Sequence, residues 1–206
     1  MTSENTTHWL EKDFTDESFE WQELSGFEFE RCSFTHCSFL GAVLTEAEVS
    51  RCTFEECNFD QARLNAAVLT DTSLANCSFS HTYFFLAQLK NCRLMGSSFA
   101  DADLGGISIT GGDWSWSNLR FQTLAGLDLR GIKLVEADLY GADLTKTDFR
   151  EADLTRANFA TAKLIGADLR GAKLTGADLR TAELKNARMD ISQAIYLAQS
   201  FGAIVE

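Results

Sequence analysis

The sequence predicts an all-β solenoid, a chain wound as a β-helix, and three observations predict it. The first is a five-residue period. Stepping five residues at a time from Phe14 visits 36 positions up to Met189, and every one is large and apolar: 20 Leu, 12 Phe and single Val, Ile, Trp and Met. A helix repeats at 3.6 residues and a strand at 2, so neither produces this phase. The second is a companion period two residues earlier. From Cys32 to Ala187 there are 32 such positions, and 27 hold Ala, Cys, Ser or Thr. Two inward residues in each five, one large and one small, describe a narrow coil whose other three positions face water. The third is the absence of proline from all 206 residues, where average usage would place about ten. Proline lacks the N–H that a strand ladder needs, and its absence suits a backbone committed to such ladders.

The period runs without insertion, so the chain reads as one array with two ends. Residues 1–13 are expected to form an N-terminal cap, polar apart from Trp9 and Leu10, and residues 14–189 the repeat array. After Met189 the apolar residues 191, 194, 195, 197, 198 and 201 take helical spacing. Asp190 suits the N-cap, Gly202 the end of the helix, and Ala203-Ile204-Val205 a short strand.

Charge bounds the function. The formal net charge is −12, with 30 acids against 18 bases, which argues against direct nucleic-acid binding because phosphate recognition depends on Lys and Arg. It permits competition for a partner's basic groove. Residues 1–100 hold 15 acids and 6 bases, and residues 101–190 hold 14 and 12, so the N-terminal half carries most of the excess. No secretion signal or 18-residue apolar run occurs, and a cytoplasmic protein without membrane contact is expected.

Chemistry has little foothold, so no enzyme and no cofactor is expected. Cys32, Cys37, Cys52 and Cys57 have a spacing loosely like that of a zinc site. Yet these four, with Cys77 and Cys92, all fall on the inward small position, where free Cys packs as a small hydrophobe and no metal is expected. His8, His36 and His81 adjoin no nucleophile motif. Gly105-Gly106 and Gly111-Gly112 lie in repeat phase, as turn residues would.

The best-formed stretch, Ala137-Asp138-Leu139, Ala142-Asp143-Leu144 and Ala152-Asp153-Leu154, resembles the A(D/N)LXX signature of the pentapeptide-repeat family over about residues 12–189. That resemblance implies a right-handed quadrilateral β-helix with four pentads in a 20-residue coil. The 36 pentads would then make about nine coils, a rod of roughly 43 Å at about 4.8 Å per strand spacing. The tail Ala187-Arg188-Met189-Asp190-Ile191-x-Gln193-Ala194 is similar to the C-terminus of MfpA- and Qnr-type members. These are DNA-mimicking, gyrase-protecting proteins that dimerise through this segment.

The resemblance implies DNA gyrase or a related type II topoisomerase as partner and protection from quinolone-like poisons. It also implies a homodimer through Ile191, Ile195, Leu197, Phe201, Ile204 and Val205. The corresponding acidic surface would hold Asp128, Asp138, Asp143, Asp148, Asp168 and Asp178. Arg130, Arg150 and Arg170 fall on the same face as three of these acids, so a self-compensated face is an equal reading, and a scaffold for an unrelated partner is the alternative function.

One stretch breaks the rule. Between 107 and 132 the small position holds Ile107, Gly112, Gln122, Leu127 and Ile132. Trp116, Phe121, Tyr83, Phe85 and Leu86 are expected to face outward, either as a partner site or packed on one another at a kink.

Overall fold

A computed structural model describes residues 7–205. It shows the β-helix that the sequence predicts, in the right-handed quadrilateral form that the resemblance implies. Strand β1 (His8–Leu10) pairs in parallel with β3 (Glu28–Glu30), and the ladder continues through β5 (Glu48–Ser50), β7 (Val68–Thr70), β9 (Gln88–Lys90) and β10 (Ser108–Thr110). A second ladder joins β2 (Asp13–Thr15), β4 (Ser33–Thr35), β6 (Thr53–Glu55) and β8 (Ser73–Ala75). Every pairing is offset by 20 residues, and the same offset continues as single bridges to Asp168↔Arg188. Four pentads therefore close one coil, and the 36 centres make nine coils.

The first ladder starts earlier than the sequence boundary at residue 14 suggests. Trp9 lies one period before Phe14 and packs in phase, its ring edge-on to that of Phe29 at 5.3 Å. Residues 1–6 of the expected cap lie outside the described residues.

Large centres fill the axis in columns. Phe34 and Phe54 stack at 4.6 Å and 3°, and Phe39 and Phe59 at 4.8 Å and 4°, so ring spacing matches strand spacing.

The corners carry the strain. Every fifth residue from Glu11 to Gly176 has a positive φ, 34 in succession, of which 11 are Gly. This conformation costs a non-glycine residue about 1–2 kcal/mol, so ladder bonds and core burial must offset it at each turn. Gly112, outside this series, has its own positive φ of 98° and a second reason to be glycine: a Cβ there would overlap the Cys92 carbonyl oxygen.

Two kinds of corner occur. In the closed kind, the N–H three residues after a centre donates to the centre's carbonyl, as Ala42 does to Phe39 at 3.0 Å. With positive φ at the residue between, this is the type II pattern. That bond is missing among the described residues after Phe14 and Ile109, and also after Phe29, Phe34, Val49, Phe54, Leu69, Leu74 and Leu89. After the last seven centres the next small residues are Cys32, Cys37, Cys52, Cys57, Thr72, Cys77 and Cys92.

These side chains take up the freed backbone groups. The Cys32 N–H donates to Cys52 Sγ (3.3 Å), the Cys52 N–H to Thr72 Oγ1 (3.4 Å) and the Cys77 N–H to Ser97 Oγ (2.9 Å). In the other direction Cys57 Sγ donates to the Phe34 carbonyl (3.4 Å) and Cys92 Sγ to that of Leu69 (3.5 Å). All six cysteines are buried free thiols. They do more than fill space, because a buried backbone group without a partner is costly. Burial pushes Cys52 up to about 12 and Cys92 up to about 11, which leaves little reactive thiolate near neutrality.

The irregular stretch parts the coils. A centre's N–H normally reaches the carbonyl 19 residues on, as from Phe84 to Asp103 and from Leu124 to Asp143, both at 2.8 Å. Among the described residues no such bond leaves Asp101, Leu104, Gly106 or Gly111, and none joins Thr123 to Ala102 or Asp128 to Ile107. The other two sides of the same coils stay joined, through Phe99 N–H to Asn118 O (3.0 Å) and Trp114 N–H to Lys133 O (2.7 Å). The result is a wedge opening along the corner of Gly105-Gly106 and Ala125-Gly126. Its cause is in the sequence. Ile107 and Leu127 occupy successive rungs of one small column, where Ala47, Ala67 and Ala87 precede them, and two bulky inward groups do not fit at one strand spacing.

Replacing Cys52 with Ala should cost about 1–3 kcal/mol, because it leaves the Cys32 N–H buried without an acceptor. Cys52→Thr, which copies Thr72 in the next coil, should lose less. Denaturant unfolding of both variants checks the ranking. Equal losses would mean that the thiol contributes volume alone.

Candidate partner-binding surfaces

The six aspartates of the expected acidic surface precede closed corners, and each first serves its own corner. Oδ1 of Asp128, Asp138, Asp143, Asp148, Asp168 and Asp178 accepts the backbone N–H two residues on, at 3.0–3.3 Å. This is the turn-forming use of a short carboxylate.

Five of the six also hold a cation. Arg130, Arg150 and Arg170 lie 2.6 Å from Asp128, Asp148 and Asp168, Arg180 lies 3.0 Å from Asp178, and Arg120 lies 2.9 Å from Asp138. Contacts from Arg130 to Asp148 (3.8 Å) and Arg150 to Asp168 (3.9 Å) knit successive rungs. Of the two readings of these acids, the ion pairs suit the self-compensated one: charge is largely cancelled at five of the six, and Asp143 is the member without an ion pair among the described residues. The bidentate Arg170 guanidinium holds the Asp168 carboxyl down to about 2. Arg130 and Arg150 lower Asp128 and Asp148 in the same way.

Most of the uncompensated acids lie in the first half of the rod. Glu28 and Glu48 stand on successive rungs of one ladder. Neither they nor Glu23 and Glu46 join an ion pair among the described residues. Glu30 is different, holding Arg31 at 2.8 Å and the Arg51 guanidinium at 2.5 Å. His36 sits between Asp16 (3.6 Å) and Glu56 (3.2 Å).

The exposed aromatics divide. The Trp21 and Phe121 rings, 64% and 68% exposed, lie over Gly41 and Gly141 of the next coil, where a Cβ would overlap them. Tyr140 meets Phe121 edge-on at 5.4 Å, and the Arg120 guanidinium lies 4.3 Å from the Tyr140 ring centre. Tyr83, Phe85, Leu86 and Trp116 remain about half exposed. Phe85, Leu86 and Phe121 border the wedge.

At the C-terminus, α1 (Ile191–Ser200) lies across the last coil. Gln193, to which the sequence alone assigns no structural role, locks it there. Its Oε1 accepts the Asp190 N–H (2.9 Å), and its Nε2 donates to the carbonyls of Leu169 (2.5 Å) and Ala172 (2.8 Å). The Asp190-x-x-Gln193 spacing is a capping-box signal that could have found it. The helix closes on Gly202 at φ +85° with a Gly202 N–H to Gln199 O bond (2.8 Å) and an Ala203 N–H to Ala198 O bond (3.0 Å), a Schellman motif.

The tail residues divide between the cap and the surface. Leu197 packs on the rod's own core and serves the cap. Ala203-Ile204-Val205, expected as a short strand, forms none. Ile191, Phe201, Ile204 and Val205 are exposed and Ile195 half-buried.

Carboxylate titration by NMR should place Asp168 near pH 2, and Arg170→Ala should return it toward the ordinary value of about 3.9. Because the folded value is depressed, the pair's contribution to stability is present above about pH 4 and is lost as pH falls toward 2. A midpoint near 4 in the unmodified protein would contradict the pairing.

The family model of the pentapeptide repeat region matches residues 27–104, and the model of pentapeptide repeats (8 copies) matches 115–151 and 152–190. No curated protein matches the sequence. Among solved structures, a trypsin-treated form of QnrB1, a plasmid-mediated fluoroquinolone resistance protein, superposes with a TM-score of 0.84 at 24% identity, covering 97% of this chain and 99% of that one. Full-length QnrB1 gives 0.71 at 24%, covering 95% and 100%. HetL, a pentapeptide repeat protein involved in heterocyst differentiation regulation in the cyanobacterium Nostoc, gives 0.63 at 28%, covering 89% and 90%. Matched by both repeat models and built from nine coils of four pentads, the chain belongs to the pentapeptide-repeat family.

Proposed function

We propose that this chain is a non-enzymatic binding protein that engages DNA gyrase or a related type II topoisomerase and counters quinolone-like poisons. The observation that carries the reading is the end-to-end likeness in fold to QnrB1, a fluoroquinolone resistance protein. The acidic rod supports it, because it suits a groove built to hold DNA. Among the described residues no helix is long and apolar enough to cross a membrane, and a cytoplasmic location belongs to the proposal, as does dimerisation through Ile191, Ile195, Phe201, Ile204 and Val205.

The charge map refines where contact would be made. With Asp128, Asp138, Asp148, Asp168 and Asp178 paired to arginine, the remaining field comes chiefly from the first coils, Glu23, Glu28, Glu46 and Glu48 among them, with Asp101, Asp103 and Asp143 as acids farther along the rod that are unpaired among the described residues. A second reading has its own support. The likeness to HetL at 28% identity and the cancelled Asp–Arg face both suit a scaffold for an unrelated protein partner.

A supercoiling assay with purified gyrase and a fluoroquinolone separates the two. Adding the protein should restore supercoiling in the presence of the drug. Glu28→Lys with Glu48→Lys should raise the concentration needed on the order of tenfold, through lost electrostatic steering. Asp138→Lys should do less. Drug inhibition unchanged at any protein concentration favours the scaffold.

For the dimer, sedimentation should show two chains together at micromolar concentration, and Phe201→Asp should release monomers through the cost of burying a charge. A monomeric parent protein would remove the dimer from the proposal.

A further inference from the structure

The wedge between the coil of Asp101–Gly111 and the coil of Phe121–Arg130 leaves two facing backbone edges without partners among the described residues. On one edge the N–H groups of Asp101, Leu104, Gly106 and Gly111 make no ladder bond, and on the other those of Thr123 and Asp128 make none. The space between is a cleft in two parts, of about 600 Å³ beside Leu104 and Thr123 and about 500 Å³ beside Ile109 and Leu127. Its floor is the opened core: Ala102 and Leu127 are only partly buried, where Ala62, Thr82 and Ala142 in the first column and Ala67, Ala87 and Ile107 in the second are sealed. Phe85, Leu86 and Phe121 rim it, each more than half exposed.

We infer that this cleft is a strand-addition site that takes an extended polypeptide segment of a partner protein. Unpaired N–H and C=O groups in strand register are complementary to another extended backbone, and that is how strand addition obtains its affinity. The edges on either side are fixed, because the Phe99–Asn118 and Trp114–Lys133 bonds keep the remaining two sides of the coil closed. The site is therefore held open by the fold.

Its chemistry also selects. Asp101 and Asp103 line the cleft without an ion pair among the described residues, whereas Arg120 and Arg130 are occupied by Asp138 and Asp128. The segment that fits carries Lys or Arg beside small apolar residues, its cation at Asp101 and Asp103 and its apolar side chains toward Ala102 and Leu127. This site stands apart from the acidic first coils and from the tail, and it does not depend on the topoisomerase reading.

Two measurements on the full chain test it. In the free protein, amide hydrogen exchange should be fast at Leu104, Gly106, Gly111, Thr123 and Asp128. It should be slow at Phe84, Asp143 and Asp148, their bonded counterparts in neighbouring coils. A displayed library of twelve-residue linear peptides, selected on the protein, should then yield basic, extended binders that slow exchange at the first set.

Ile107→Ala with Leu127→Ala, which restores small residues and lets the ladder close, should weaken those binders at least tenfold. Asp101→Lys with Asp103→Lys, a surface change that removes only the turn bond from the Gly105 N–H to Asp103 Oδ1, should do the same. Slow exchange at Leu104 and Thr123 in the free protein overturns the proposal. So does a selection whose peptides bind both double variants as well as the parent.

Discussion

Everything in this molecule depends on one rule of hydrogen bonding between coils: the N–H of a centre must meet the carbonyl 19 residues on, in the next rung. That bond fixes the spacing of rungs, which in turn fixes the phenylalanine stacks at 4.6 Å for Phe34–Phe54 and 4.8 Å for Phe39–Phe59. It also forces the backbone through a left-handed residue at each of 34 successive corners. A chain accepts that strain because stacking neighbours supply what a single coil lacks, as in other repeat proteins. Where the rule lapses, between Asp101–Gly111 and Phe121–Arg130, the coils part and the core comes into view.

How much of this is legible in the sequence follows from the same rule. The fold is legible because an inward residue that must stack on its equivalent 20 positions later cannot drift, so 36 centres keep phase from Phe14 to Met189. The wedge is half legible. Ile107 and Leu127 announce a fault in the small column, but only the hydrogen bonds show that two sides of the coil open while two stay shut.

The cysteines are legible as buried and misleading as to why. Their phase is that of alanine, and nothing in the spacing distinguishes an open corner, where Cys52 must receive the Cys32 N–H, from a closed one. The aspartates mislead in the opposite direction. A column of Asp128, Asp148 and Asp168 looks like a charged stripe, yet each carboxylate is engaged by its own turn and by the arginine two residues on. The role of Gln193 is hidden because a lone glutamine in an apolar helix carries no period, although it stands three residues after an N-cap aspartate.

Function in such a rod lies on its surface, since the interior positions are committed to the stack. Three surfaces remain after the fold has taken what it needs: the acidic first coils, the wedge with its apolar rim, and the exposed side of the terminal helix. The first supplies long-range attraction. The second supplies backbone partners and apolar area at short range. The third presents Ile191, Phe201 and Ile204, which the last coil does not cover.

The proposed engagement of a type II topoisomerase is tested most directly by binding measured on an immobilised purified gyrase across salt concentration, with free duplex DNA as competitor. The account predicts saturable binding that duplex DNA displaces. It also predicts that binding weakens on the order of tenfold or more as salt rises from about 50 to about 300 mM, because the contact is carried by exposed charge. Absence of binding at low salt, or binding indifferent to both salt and DNA, would contradict it.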